Sequence, residues 1–136
     1  MQRLLVNIDV DDLEAAGRFY CAAFGLRAGR RFGPHGLELL GAEAPLYLLV
    51  KPAGTAPAPG VQAPRSYRPH WTPVHLDFAV DDLEAACARA QAAGATLEAG
   101  IEAQAWGRIA MLRDPFGHGF CLLQFSGRGY DAIAAD

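Results

Sequence analysis

The chain has 136 residues, 51% of them hydrophobic, enough for one compact domain, or two small modules, to bury roughly two thirds of its unfolded surface. Its 12 Lys and Arg against 15 Asp and Glu leave a net charge of −3 with no basic run, which argues against nucleic acid as a partner. Apolar runs such as Leu46 to Val50 are short and no long apolar stretch opens the chain, so neither a membrane span nor export is indicated, and a cytoplasmic location is expected.

Leu4 to Val10 alternates as a strand, and Asp11 with Glu14 three residues later forms an acidic capping box that opens a helix running to about Phe24. Leu13, Ala16, Tyr20 and Phe24 give that helix one apolar face, and Gly25 supplies the left-handed residue that ends it. Phe32 to Leu40 and Leu46 to Val50 read as strands, with turns at Gly33-Pro34 and Gly41 to Pro45. Residues 51–73 hold six of the nine prolines, which excludes a central strand or a long helix and marks a connector. Tyr67, Arg68, His70 and Trp71 are unusual in a passive spacer and point to a part that packs as a lid.

Beyond the connector come a strand at Val74 to Val80, a helix from Asp82 to Ala93 capped by Asp81 and stopped by Gly94, and strands at Thr96 to Ala99, Ile109 to Arg113 and Gly119 to Phe125. Asp114-Pro115-Phe116-Gly117 is a tight turn between the last two, sufficiently explained by its Pro and Gly. The string Val-Asp-Asp-Leu-Glu-Ala-Ala occurs at Val10 to Ala16 and again at Val80 to Ala86, so one unit of strand, helix, glycine and strands has been duplicated. The expected organisation is a single domain over 1–136, with module one at 1–50, the connector at 51–73, module two at 74–125 and a tail at 126–136. Cys21, Cys87 and Cys121 are odd in number and far apart, which speaks against a disulfide framework or a zinc motif and for small buried side chains.

The order of these segments resembles the vicinal oxygen chelate superfamily, which includes glyoxalase I, extradiol dioxygenases and bleomycin-resistance proteins. The resemblance rests on Asn7 to Glu14 and its echo His75 to Glu84, on Gly17-Arg18-Phe19-Tyr20 through Phe24-Gly25-Leu26, and on Arg113-Asp114-Pro115-Phe116-Gly117-His118. It implies an α+β fold in which two tandem βαβββ modules form a curved mixed sheet around a cleft. Strand alternation puts Val6, Ile8 and Val10 on the helix and Leu5, Asn7 and Asp9 on the other face, which the family uses as its cleft; Leu76, Phe78 and Val80 oppose His75, Asp77 and Ala79 in the same way.

Members with a metal hold it by four side chains, and the corresponding places here are Leu5, Leu48, His75 and Cys121. Leucine has no lone pair to give, and His with Cys alone leaves most of a coordination sphere unfilled, so no metal and no cofactor are expected. His75 is either a ligand anchor with a charge tunable near neutrality or a core histidine bonded to Asp9 or Asp77. Asp9 and Asp77, taken as matching repeat positions, are expected to approach one another and favour a cation, a shared proton or solvent. Trp71 and Trp106 read as packing residues or as aromatic walls of the cleft. No nucleophile triad or phosphate loop can be assembled.

The resemblance thus implies a metal-free protein of the bleomycin-resistance type that binds a small aromatic or antibiotic-like molecule through Leu5, Asn7, Asp9, Leu48, Trp71, His75, Asp77, Trp106 and Cys121. The alternatives are a metal-dependent lyase, isomerase or dioxygenase, and a metal-free enzyme with His75 as general base. A homodimer is expected from the family habit.

Overall fold

The computed structural model describes residues 1–135, so the last residue of the expected tail lies outside the described residues. The chain divides into two compact units, Met1–Arg68 and Pro69–Asp136, so the proline-rich connector is shared between them. The first unit contains β1 (Val6–Val10), α1 (Leu13–Phe24), β2 (Arg27–Phe32), β3 (Gly36–Leu40) and β4 (Leu46–Val50). The second contains β5 (Leu76–Ala79), α2 (Leu83–Ala93), β6 (Thr96–Gln104), β7 (Gly107–Arg113) and β8 (Gly119–Phe125), followed by a 3-10 turn at Gly129–Ala132. Each unit is therefore a βαβββ module, and the fold is α+β. Among the described residues no helix is long and apolar enough to cross a membrane.

Both sheets are mixed and share one topology, β1-β4-β3-β2 and β5-β8-β7-β6, in which the first strand pairs in parallel with the last and the other neighbours are antiparallel. The leading strands begin at Val6 and Leu76, two residues later than alternation suggests. The Val6 N–H donates to the Pro45 carbonyl, and Pro45 itself has no N–H to continue the ladder, while at the start of β8 the Gly119 N–H is already given to the His70 carbonyl. The helices are capped by Asp12 and Asp82, not by Asp11 and Asp81: each accepts the N–H three residues on, at 3.0 Å from Ala15 and from Ala85.

Residues paired directly across a ladder project to the same face. Val6, Ile8 and Val10 pair with Leu46, Leu48 and Val50, and this face of the first sheet receives α1. Leu39 and Leu48 are fully buried there with Ala16, Phe19 and Tyr20 of the helix. In the second module Leu83, Ala86, Cys87 and Ala90 of α2 are buried, as are Ala110, Leu112, Phe120 and Leu122 on the helix-facing side of the sheet. Gln124 lies on this side too, where its Oε1 accepts the Leu83 N–H at the start of α2 at 2.9 Å.

β2 was not expected, because Arg-Ala-Gly-Arg-Arg-Phe is polar and exposed throughout. It is held to β3 by a bulge and by Glu38, an acid only 6% exposed in an otherwise apolar strand. Arg30 binds both carboxylate oxygens, Nη2 at 2.7 Å from Oε2, and Tyr47 donates to Oε2 at 3.0 Å. Hydrogen bonds from the Arg30 side chain hold Glu38 at a pKa of about 2, well below its ordinary value. That stabilisation is complete above the ordinary carboxylate range and is lost as the pH falls through it towards 2. Denaturation midpoints taken from pH 6 down to pH 2 should therefore fall less steeply in Glu38→Gln than in the parent; parallel curves would show that the pair contributes nothing.

Candidate functional site

The candidate site lies on the face of the second sheet turned away from α2. Asp77 on β5 and Cys121 on β8 are direct ladder partners, and His75 stands just before β5 with Nε2 3.2 Å from Asp77 Oδ1. The His75 and Asp77 side chains are 39% and 40% exposed, whereas Cys121 is buried. Burial, the charge of Asp77 and a hydrogen bond to that carboxylate push the Cys121 thiol up to about 12, so the thiol keeps its proton and donates it to Asp77 at neutral pH.

Trp71 comes to the same face from the end of the connector. His70 accepts the Gly119 N–H at 3.1 Å and gives its own N–H to Gly117 at 2.9 Å, forming a parallel bridge with His118 that fixes the following residue. The Trp71 indole rests on Gly119, where a Cβ would lie 2.3 Å from Cδ2. Its ring meets that of His75 at 5.6 Å and 78°, edge to face. Nε1 donates to Glu98 at 2.7 Å, and the other oxygen of Glu98 receives Arg113 Nη1 at 2.6 Å. One connected group thus runs Arg113, Glu98, Trp71, His75, Asp77, Cys121. Glu98 was missed because a register shift between Leu97 and Ala99 decides which way it points, and no short-range pattern reveals such a shift.

The other expected site residues stand apart from this group. Leu48 is corrected: it pairs with Ile8, is fully exposed to none of the solvent, and belongs to the core under α1. Tyr47, its neighbour, occupies the ladder position in module one that Cys121 holds in module two, opposite Asn7. Leu5 precedes β1 and is half exposed, and Asn7 is exposed. The repeat offset matches Asp77 with Asn7, and Asp9 with Ala79, so Asp9 and Asp77 are not equivalents. Asp9 is neutralised by Arg65 of the connector, with Nε 2.8 Å from Oδ2, while the same guanidinium binds Thr55 Oγ1 and the Ala56 carbonyl. The first part of the connector is thereby fastened over β1.

Trp106 is also corrected, since it packs against Phe125 and Tyr130 with centroids 5.8 and 5.5 Å away. It adjoins Gly107 at one end of β7, whereas Trp71 lies over Gly119 beside Arg113 at the other, roughly 20 Å apart at 3.4 Å per residue. The two tryptophans do not wall one small pocket.

The ligating atoms of His75, Asp77 and Cys121 lie within 4.8 Å of one another, so three side chains could converge on one cation. The four-position pattern set out above is not met, however. Leu5 and Leu48 offer no donor, and Tyr47 spends its hydroxyl on Glu38.

The glyoxalase-like domain family matches residues 5–123. The chain is 33% identical over 132 residues to the anthracycline biosynthesis protein DnrV of Streptomyces peucetius, covering 95% of this chain but only 43% of that protein's length. It is 35% identical over 123 residues to the uncharacterized protein Mb0911c of Mycobacterium bovis, covering 87% of this chain and 80% of the relative. Among solved structures, a glyoxalase-related enzyme from Fulvimarina pelagi superimposes with a TM-score of 0.71 at 22% identity, over 91% of this chain and 88% of the other.

Proposed function

The chain belongs to the glyoxalase-like domain family, and we propose that it is a metal-free binding protein for a small, aromatic, antibiotic-like molecule held on the Trp71 and His75 face of the second module. The observation that carries this reading is the Trp71 ring standing edge to face with His75, whose side chain is 39% exposed. Trp71, fixed over Gly119 and by Glu98, gives an aromatic wall beside the exposed His75. Similarity to an anthracycline biosynthesis protein supports a planar aromatic as the class of ligand.

The test combines elemental analysis after dialysis with fluorescence titration by planar aromatics such as anthraquinones in a Trp106→Phe background, where Trp71 is the remaining indole. Quenching without bound metal is expected. Near-stoichiometric zinc, iron, manganese or nickel that survives dialysis would overturn it in favour of a metal-dependent lyase, isomerase or dioxygenase, the reading favoured by the closeness of His75, Asp77 and Cys121.

A further inference from the structure

Met111 stands on β7, a strand with a neighbour on each side, and pairs directly with Cys121 of β8, so its side chain projects on the face turned away from α2. The row at that level runs Asp77, Cys121, Met111, Ala99 across the four strands. Ala99 is too short to cover the thioether, and Gly100 beside it has nothing within 4 Å of where a side chain would begin. Met111 is accordingly 38% exposed. One level along the ladder, Arg113 pairs with Gly119, the residue on which the Trp71 indole rests. The polar groups there are matched to one another, since Glu98 receives both the indole N–H and Arg113. This end of the face thus turns two large apolar groups outward, the Trp71 ring and the Met111 thioether.

Gly119 and Met111 are diagonal neighbours, two residues along the strands and one strand across, roughly 8 Å in all. One benzene ring does not bridge that span, whereas two or three fused rings do. An unbranched, polarisable thioether suits such a contact, because it adapts to the ring it meets and sulfur is attracted to aromatic edges and faces. We propose that Met111 is a specificity-determining contact of this face and that the molecule bound here is a fused aromatic of two or more rings, one against Trp71 and the next on the Met111 thioether. This rests on the binding function proposed above and makes ring number the property that the site reads.

Calorimetry with benzylamine, naphthylmethylamine and anthrylmethylamine tests this, because the charged handle is the same in all three and only the number of rings varies. The parent protein should bind the naphthyl and anthryl compounds at least roughly tenfold more tightly than benzylamine. In Met111→Ala that advantage should shrink roughly tenfold while affinity for benzylamine, which reaches Trp71 alone, stays within about twofold. Met111→Leu, apolar and of similar volume, should keep most of the advantage, and Met111→Gln, of similar length but polar, should lose it. Loss of affinity for all three compounds alike in Met111→Ala would overturn the proposal, as would an advantage that survives intact in folded Met111→Ala and Met111→Gln; both outcomes leave the binding function standing. Failure of the parent to bind any of the three would overturn the binding function, and the Met111 contact with it.

Discussion

Gly107→Ala should lower the unfolding free energy by about 3 kcal/mol or more. Gly107 opens β7 with φ at 153°, and a Cβ there would lie 2.1 Å from the Gln124 carbonyl oxygen and 2.9 Å from Phe125 Cα. Both obstacles are backbone atoms of the paired strand, so no rotamer change relieves the clash. The chain must either part β7 from β8 at this end or change the Gly107 backbone. Either movement disturbs the bond from Ser126 N–H to the Trp106 carbonyl and the packing of Trp106 on Phe125 and Tyr130. Gly100→Ala in the exposed β6, where nothing lies within 4 Å of the added carbon, is the matched control and should be near neutral. Urea denaturation of the two variants decides the matter: a loss below about 1 kcal/mol for Gly107→Ala would mean that the end of the ladder yields freely.

Gly119→Ala should act on binding more than on stability. Gly119 does not have a left-handed backbone, so alanine meets no conformational obstacle, but its Cβ would lie 2.3 Å from Trp71 Cδ2 and 2.4 Å from Cε2. The indole is rigid and must swing away as a body, breaking its 2.7 Å bond to Glu98 and its contact with His75. In a Trp106→Phe background the emission should shift to longer wavelength as the remaining indole enters water. Affinity for a planar aromatic should fall at least roughly tenfold, since an aromatic wall is worth about 1 kcal/mol beyond its buried area. Unchanged emission together with unchanged affinity would remove Trp71 from the site.

The fold was largely legible because the repeated string, the alternating strands before it and the glycines after each helix all carry local, mutually consistent signals. β2 was not, since only Ala28 and Phe32 among its six residues are apolar and its pairing depends on a bulge and on Glu38. The lone acid among the leucines of β3 was the available clue: an ionised side chain in such a strand needs a partner. The caps were displaced by one residue because two aspartates stand in tandem before each helix and only the position of the receiving N–H separates them. Within the site, His75, Asp77, Cys121 and Trp71 came together while Leu48 and Trp106 did not. Period-two alternation orders residues within one strand, but the face of β4 is fixed only by its register against β1, and one of the two partners of Trp106, Tyr130, lies in a tail with no periodic pattern.

Parallel pairing of first strand with last also dictates an order of events during synthesis. Val6 meets Leu46 and Leu76 meets Phe120, so in neither sheet can the first strand be paired until almost the whole of its own module has left the ribosome. Residues through Val50 nevertheless contain every strand of the first sheet. The first half can therefore gain its hydrophobic core while the second is still being translated, and the two copies of the repeated string, separated in time, do not compete for the same partner strand.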